Sequence, residues 1–158
     1  MRPLSDTIRA DLARPHPLAA ERIGFEYGTL SEGGEGTQLI VLKDYRPVPD
    51  DRYLDDPRCG ARIDSQAIRG AMQHALDSVA GAFHVHLHDW PGIPRFSQFD
   101  RKELPRLIPS FQALRPSSAH GLLLLSRDQW TAEVWLPGRN EGIVADRIQV
   151  IGWPREAN

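Results

Sequence analysis

The stretch Phe83-His84-Val85-His86-Leu87-His88 constrains the fold most, because apolar residues and histidines alternate through it without a break. A period of two is that of a β-strand, whose side chains point alternately to opposite faces. Phe83, Val85 and Leu87 would line a core. His84, His86 and His88 would project from the other face, about 7 Å apart pairwise. Upstream the period changes. Over residues 65–79, Ile68, Met72, Ala75, Leu76 and Val79 recur at helical spacing, with Asp64 or Ser65 as a cap and Gly81 as the stop. A helix running directly into a half-apolar strand has to pack in layers.

The remaining segments extend this pattern. Residues 4–14 place Leu4, Ile8 and Leu12 on one helical face, ended by Pro15 and Pro17. Ile23, Phe25 and Tyr27 alternate as a strand, and a glycine-rich turn, Ser31 to Gly36, joins it to a second strand over 38–45. Arg46 to Gly60 reads as a solvated loop, long enough to contact a substrate. A helix is expected from residue 100 to 114, interrupted by Pro105 and Pro109. Residues 121–126 and 130–136 form a hairpin around Arg127-Asp128, and 147–151 a last short strand. The order of elements predicts an α/β (α+β) fold, a mixed β-sheet flanked by helices, in a single domain spanning 1–158.

Composition narrows the classes of function. The net charge of −2 gives no bulk attraction to nucleic acid. Cys59 is the lone cysteine, so neither a disulfide framework nor a CxxC zinc site is available, which fits a reducing, cytoplasmic setting. The N-terminus is charged throughout and lacks the apolar core of a secretory signal. The longest apolar run, Leu122 to Leu125, is far too short to span a membrane.

The histidine strand is followed by Ser97 and Asp100. Two imidazoles and a carboxylate suit a catalytic zinc with an open fourth position. From spacing alone the imidazole pair is either His84/His86 or His86/His88, and Asp89 is a rival carboxylate. Trp90, Ile93 and Phe96 could wall the cleft. Glu21 and Glu26 both lie upstream at the first strand-forming stretch, on opposite faces by alternation. Gly24 and Gly28 allow close strand packing or close approach by a substrate.

Taken together, His86-x-His88, eight residues, then Ser97-x-x-Asp100 resembles the signature of the JAMM (MPN) metalloproteases, which have seven residues in that gap. The family also carries an upstream Glu-x-x-Gly-x-x-x-Gly segment, matched here by Glu21, Gly24 and Gly28. Leu87 and Asp89 stand where the family usually has Ser or Thr and Pro. The resemblance covers residues 18–136 and implies an MPN/JAB-like (cytidine-deaminase-like) sheet. It implies that His86, His88 and Asp100 are zinc ligands, that Glu21 is the catalytic base and later proton donor, and that Ser97 stabilises the oxyanion. The implied activity is hydrolysis of a peptide or isopeptide bond after the C-terminus of a ubiquitin-like protein. Free-standing bacterial members imply partners in an antiviral operon, namely the modifier with its activating and conjugating enzymes. A non-catalytic MPN-type scaffold and a RadC-like DNA-associated metalloprotein are the alternatives.

Overall fold

A computed structural model describes residues 3–151. Its helices are α1 (Leu4–Leu12), α2 (Ser65–Asp77), α3 (Gln98–Glu103) and α4 (Ile108–Leu114). Its strands are β1 (Ile23–Glu32), β2 (Gln38–Pro47), β3 (Gly81–Leu87), β4 (His120–Leu125), β5 (Trp130–Trp135) and β6 (Ile143–Val144). They form one six-stranded sheet in the order β2-β1-β3-β4-β5-β6. Only β3 and β4 run parallel, joined by the crossover that contains α3 and α4; the other neighbours are antiparallel. The protein is therefore a mixed α/β structure with helices on both faces of a mixed sheet. No helix among the described residues is long and apolar enough to cross a membrane.

The histidine strand lies near the middle of the sheet and divides the core. Phe83, Val85 and Leu87 pack with Ile8 and Leu12 of α1 and with Leu123 and Leu125. On the opposite face Phe25, Tyr27 and Ala82 pack with α2 and with Phe111 of α4. The helix α2 meets this face through Ala67, Ala71 and Ala75, while Leu76 is 42% exposed and Val79 60% exposed. The expected stripe through Leu76 and Val79 is thus rotated. Alanines at intervals of four make a flat surface that lets the helix sit close on the sheet.

Two local expectations also change, the stop of α2 and the last strand. α2 is stopped by Val79, in the left-handed region at φ 54°, and not by Gly81. Gly81 opens β3 instead, where a side chain would collide with the carbonyl of Ala119. Gly24 and Gly28 serve close packing: a Cβ at Gly24 would strike the Tyr45 ring, and one at Gly28 would lie 2.5 Å from the Val41 carbonyl. The last strand is Ile143–Val144, paired with β5, whereas 147–151 joins no strand. Trp153, which its aromatic character would place in a core or an interface, lies outside the described residues. Pro105 and Pro109 divide the expected 100–114 helix into α3, a 3-10 turn and α4, each proline sitting in the first turn of the segment it opens.

Candidate metal centre

Three separate pieces of chain meet at the end of β3. β3 supplies His86 and, one residue beyond it, His88; both are buried. Their side chains follow the strand alternation to the same face. Glu21 arrives from the bend before β1, and Asp100 from the first turn of α3. Ligand atoms of Glu21, His86 and His88 all lie within 4.8 Å of one another, a group that could hold a metal ion. Asp100, an expected ligand, stands outside this group but beside it, its Oδ2 3.5 Å from Nε2 of both His86 and His88. Glu21 Oε1 is 3.4 Å from His88 Nε2.

These separations are long for hydrogen bonds between ring nitrogen and carboxylate. They match the edges of a tetrahedron, in which bonds of about 2.1 Å put the donor atoms about 3.4 Å apart. Both ring nitrogens of His86 are buried without a hydrogen-bond partner. A buried nitrogen left this way costs about 1–3 kcal/mol. A cation among the four side chains would satisfy it, so the residues present fit a bound metal.

The sequence explains how each group is aimed. Ser97 caps α3 by accepting the Asp100 N–H at 3.1 Å, while Asp100 Oδ2 accepts the Ser97 N–H at 2.7 Å. This reciprocal capping box fixes the very oxygen that faces the histidines. Ser97 itself is exposed at the start of α3. On the other side, Ala20 and Glu21 both donate N–H to the Gly60 carbonyl, at 2.8 and 3.0 Å. A Cβ at Gly60 would stand 2.5 Å from Glu21 Oε2. Buried Arg22 donates to the carbonyls of Arg14 and Pro15 and pairs with Asp50 at 2.6 Å. Tyr53 Oη accepts the Ile23 N–H at 2.7 Å. The loop from Arg46 to Gly60 is therefore the clamp that holds Glu21, and Gly60, Arg22 and Tyr53 are positioning residues that sequence reading missed. The one available signal was that a glycine and a tyrosine sat in a stretch otherwise read as solvated.

Electrostatics separate the two carboxylates. Burial raises Glu21, with Asp100 adding to it against the pull of His86. Burial opposes ionisation of Asp100 too, but His86 and the N–H and hydroxyl of Ser97 outweigh it and hold the group below the usual carboxylate range. Burial and the neighbouring His86 lower His88, and burial pushes His84 down to about 3, so both favour neutral imidazole. His84 sits deeper than the cluster, its ring edge-on to Phe25 at 5.7 Å and to His86 at 5.4 Å.

Other candidates fall away from the centre. Asp89 pairs with Arg127 at 2.8 Å and is turned to solvent. Gly92 N–H bonds to Asp128 Oδ1 at 2.8 Å, so the 89–96 loop is tied to the β4–β5 turn. Glu26 lies opposite Tyr45 and Phe83, on the α1 face of the sheet. Trp90 lies against the His88 ring at 4.5 Å and Phe96 near His86 at 6.2 Å, forming an apolar wall; Ile93 is 70% exposed and does not join it. No protein-family model matches the chain, and no curated protein aligns with it.

Proposed function

We propose that the protein is a zinc-dependent peptidase or isopeptidase of the JAMM type, acting after the C-terminus of a ubiquitin-like protein. The observation that carries the reading is the convergence of the Glu21 and Asp100 carboxylates, which have opposite proton affinities, on the buried His86 and His88 rings, with Glu21 Oε1 3.4 Å from His88 Nε2 and Asp100 Oδ2 3.5 Å from both rings. Asp100, held ionised, suits a ligand beside His86 and His88. Glu21, held more basic, suits a base. Environments that drive two titratable groups apart in this way assign acid and base roles. A donor set of two nitrogens and a carboxylate oxygen suits zinc.

When bound, zinc supplies a Lewis acid that polarises the scissile carbonyl and acidifies water. Glu21 takes the proton of the attacking water and delivers it to the leaving amine, which departs poorly unless protonated. Ser97, whose Oγ accepts the Asp100 N–H, turns its hydroxyl hydrogen from the Asp100 carboxylate to the developing oxyanion. Loss of such a donor typically costs about 10²–10³ in turnover. Trp90 and Phe96 keep bulk water from the imidazoles. The helix–sheet–helix layering supports an MPN-type fold, and an extended substrate tail would lead its scissile bond to the site as an added strand.

The test is metal content and cleavage on the same variants. Glu21→Gln should keep about one equivalent of zinc yet lose at least about 10²-fold in cleavage of a ubiquitin-like fusion, since a base contributes about 10²–10⁴. His88→Ala should lose the metal, whereas His84→Ala should keep it. Undiminished cleavage by Glu21→Gln would overturn the assignment of the base, and a well-folded wild type unable to bind zinc would overturn the whole reading.

A further inference from the structure

Residues opposite one another across the sheet form rows. His84, Leu122 and Glu133 make one row, and His86, Leu124 and Thr131 the next. Opposed residues share a face, so Glu133 and Thr131 stand on the histidine side. Two strand spacings separate Thr131 from His86 by about 10 Å. At that end of the rows lies a second concavity of about 340 Å³, lined chiefly by Arg95, Phe96, Arg101, Thr131 and Glu133. Its volume is in the range of small-ligand sites.

Two features join it to the metal centre. Phe96 is a shared wall, its ring 6.2 Å from that of His86. Arg101 follows Asp100 directly, so one turn of α3 gives a carboxylate to the histidines and a guanidinium to the cavity. Nearby arginines are neutralised, Arg106 by Glu103 and Arg127 by Asp89. Among the described residues Arg95 and Arg101 have no ion-pair partner. Glu133 is the only carboxylate of the lining, and it lies against Gly142, where a Cβ would meet its Oε1 at 2.6 Å. Two guanidinium groups against one carboxylate leave the cavity with an excess positive charge and, among the described residues, no ion-pair partner to meet it.

We propose that this cavity is a specificity subsite for a substrate carboxylate, gripped by Arg95 and Arg101. It rests on the hydrolase reading above and narrows its substrate class. A peptide advances about 3.3 Å per residue, so a cavity wall about 10 Å, or two strand spacings, from His86 corresponds to two or three residues from the scissile bond. Guanidinium forks bind carboxylates with paired, charge-assisted hydrogen bonds. A lysine or arginine at the same substrate position would meet two like charges. The carboxylate comes either from an Asp or Glu side chain or from a free C-terminus.

The experiment uses the zinc-loaded full chain and two randomised peptide pools, one with amidated and one with free C-termini, with products read by mass spectrometry. Asp and Glu should be enriched at least tenfold over Asn and Gln two or three residues from the cleaved bond. Enrichment confined to the free-acid pool, with cleavage at that distance from its end, also supports the subsite and identifies the terminal carboxylate as its ligand. The Arg95→Gln, Arg101→Gln double variant should lose the preference, read as a ratio of kcat/KM values, and Arg101→Glu should shift it toward Lys and Arg. Zinc content of each variant reports whether α3 still carries Asp100 into place. Cleavage without acidic enrichment, or enrichment that survives in a zinc-replete double variant, overturns the subsite and leaves the hydrolase reading standing. No cleavage of either pool or of a ubiquitin-like fusion overturns both.

Discussion

Glu21 and Glu26 are separated by four residues yet meet opposite fates. Glu21 precedes β1 and reaches the histidines, while Glu26 points under α1, 3% exposed, with Oε2 lacking any hydrogen-bond partner. Beside Glu26 stand Tyr45 on β2 and Phe83 on β3, and Tyr45 Oη donates to the Asp11 carboxylate of α1 at 2.6 Å. Burial raises the Glu26 carboxyl from its ordinary 4.5 to about 7. A raised carboxyl pKa means that the folded state holds its proton more tightly than the unfolded chain. The associated stability is complete below pH 4.5, falls between pH 4.5 and about 7, and is gone above that. The full loss is on the order of 3 kcal/mol. Glu26→Gln should therefore be more stable than wild type by about that amount at pH 8 and close to parity at pH 4.5. Urea denaturation of both proteins at the two pH values isolates Glu26, because Asp100 and the histidines contribute to both. An equal difference at both pH values would refute it.

At the level of elements, the junction between α2 and β3 carries a local conflict. Val79 N–H bonds to the Leu76 carbonyl at 3.2 Å and Ala80 N–H to the Ala75 carbonyl at 3.0 Å, a Schellman ending. Such an ending places its penultimate residue in the left-handed region, and here that residue is a β-branched valine at φ 54°. The conformation costs an L-residue about 1–2 kcal/mol. The Val79 side chain is 60% exposed, so little packing offsets the cost. Val79→Gly should raise stability by about 1 kcal/mol after the extra entropy of the unfolded glycine is subtracted. That corresponds to roughly 2–4 °C in Tm for a chain of this size, measurable by thermal melting. An unchanged or lower Tm would show that the valine contacts outweigh the strain. The same junction explains a limit of the sequence. Periodicity located α2 and β3 well, but Gly81 looked like the stop because the steric need it answers, the Ala119 carbonyl, lies 38 residues away. The rotation of α2 has a similar origin: Leu76 and Ala75 both fit a helical stripe, and only the nearness of the sheet selects the alanines.

Across the whole molecule, the site joins the chain's beginning, middle and second half. Legibility followed sequence distance. The alternation of Phe83 to His88 and the four-residue frame of Ser97 to Asp100 are local and could be read directly, although the second is equally a capping box. The meeting of Glu21 with them could be suggested only by resemblance, because β1 lies beside β3 through the antiparallel register Ile23–His86, which no local pattern encodes. Gly60, Arg22 and Tyr53, which aim Glu21, gave no periodic signal at all. A centre assembled from such distant segments links metal binding to global stability, since the unfolded chain cannot present Glu21, the histidines and Asp100 together. At free zinc about 1,000-fold above Kd, binding to the folded state alone adds about 4 kcal/mol. For a chain of this size that is roughly 8–16 °C in Tm. Zinc added to chelator-treated protein should produce a shift of this size at pH 7.5, and chelator should reverse it. His88→Ala and Asp100→Ala should abolish the shift, while Glu21→Gln should keep most of it if Glu21 is a base and not a ligand. A shift lost equally in all three variants would place Glu21 among the ligands and leave the catalytic base to be found elsewhere.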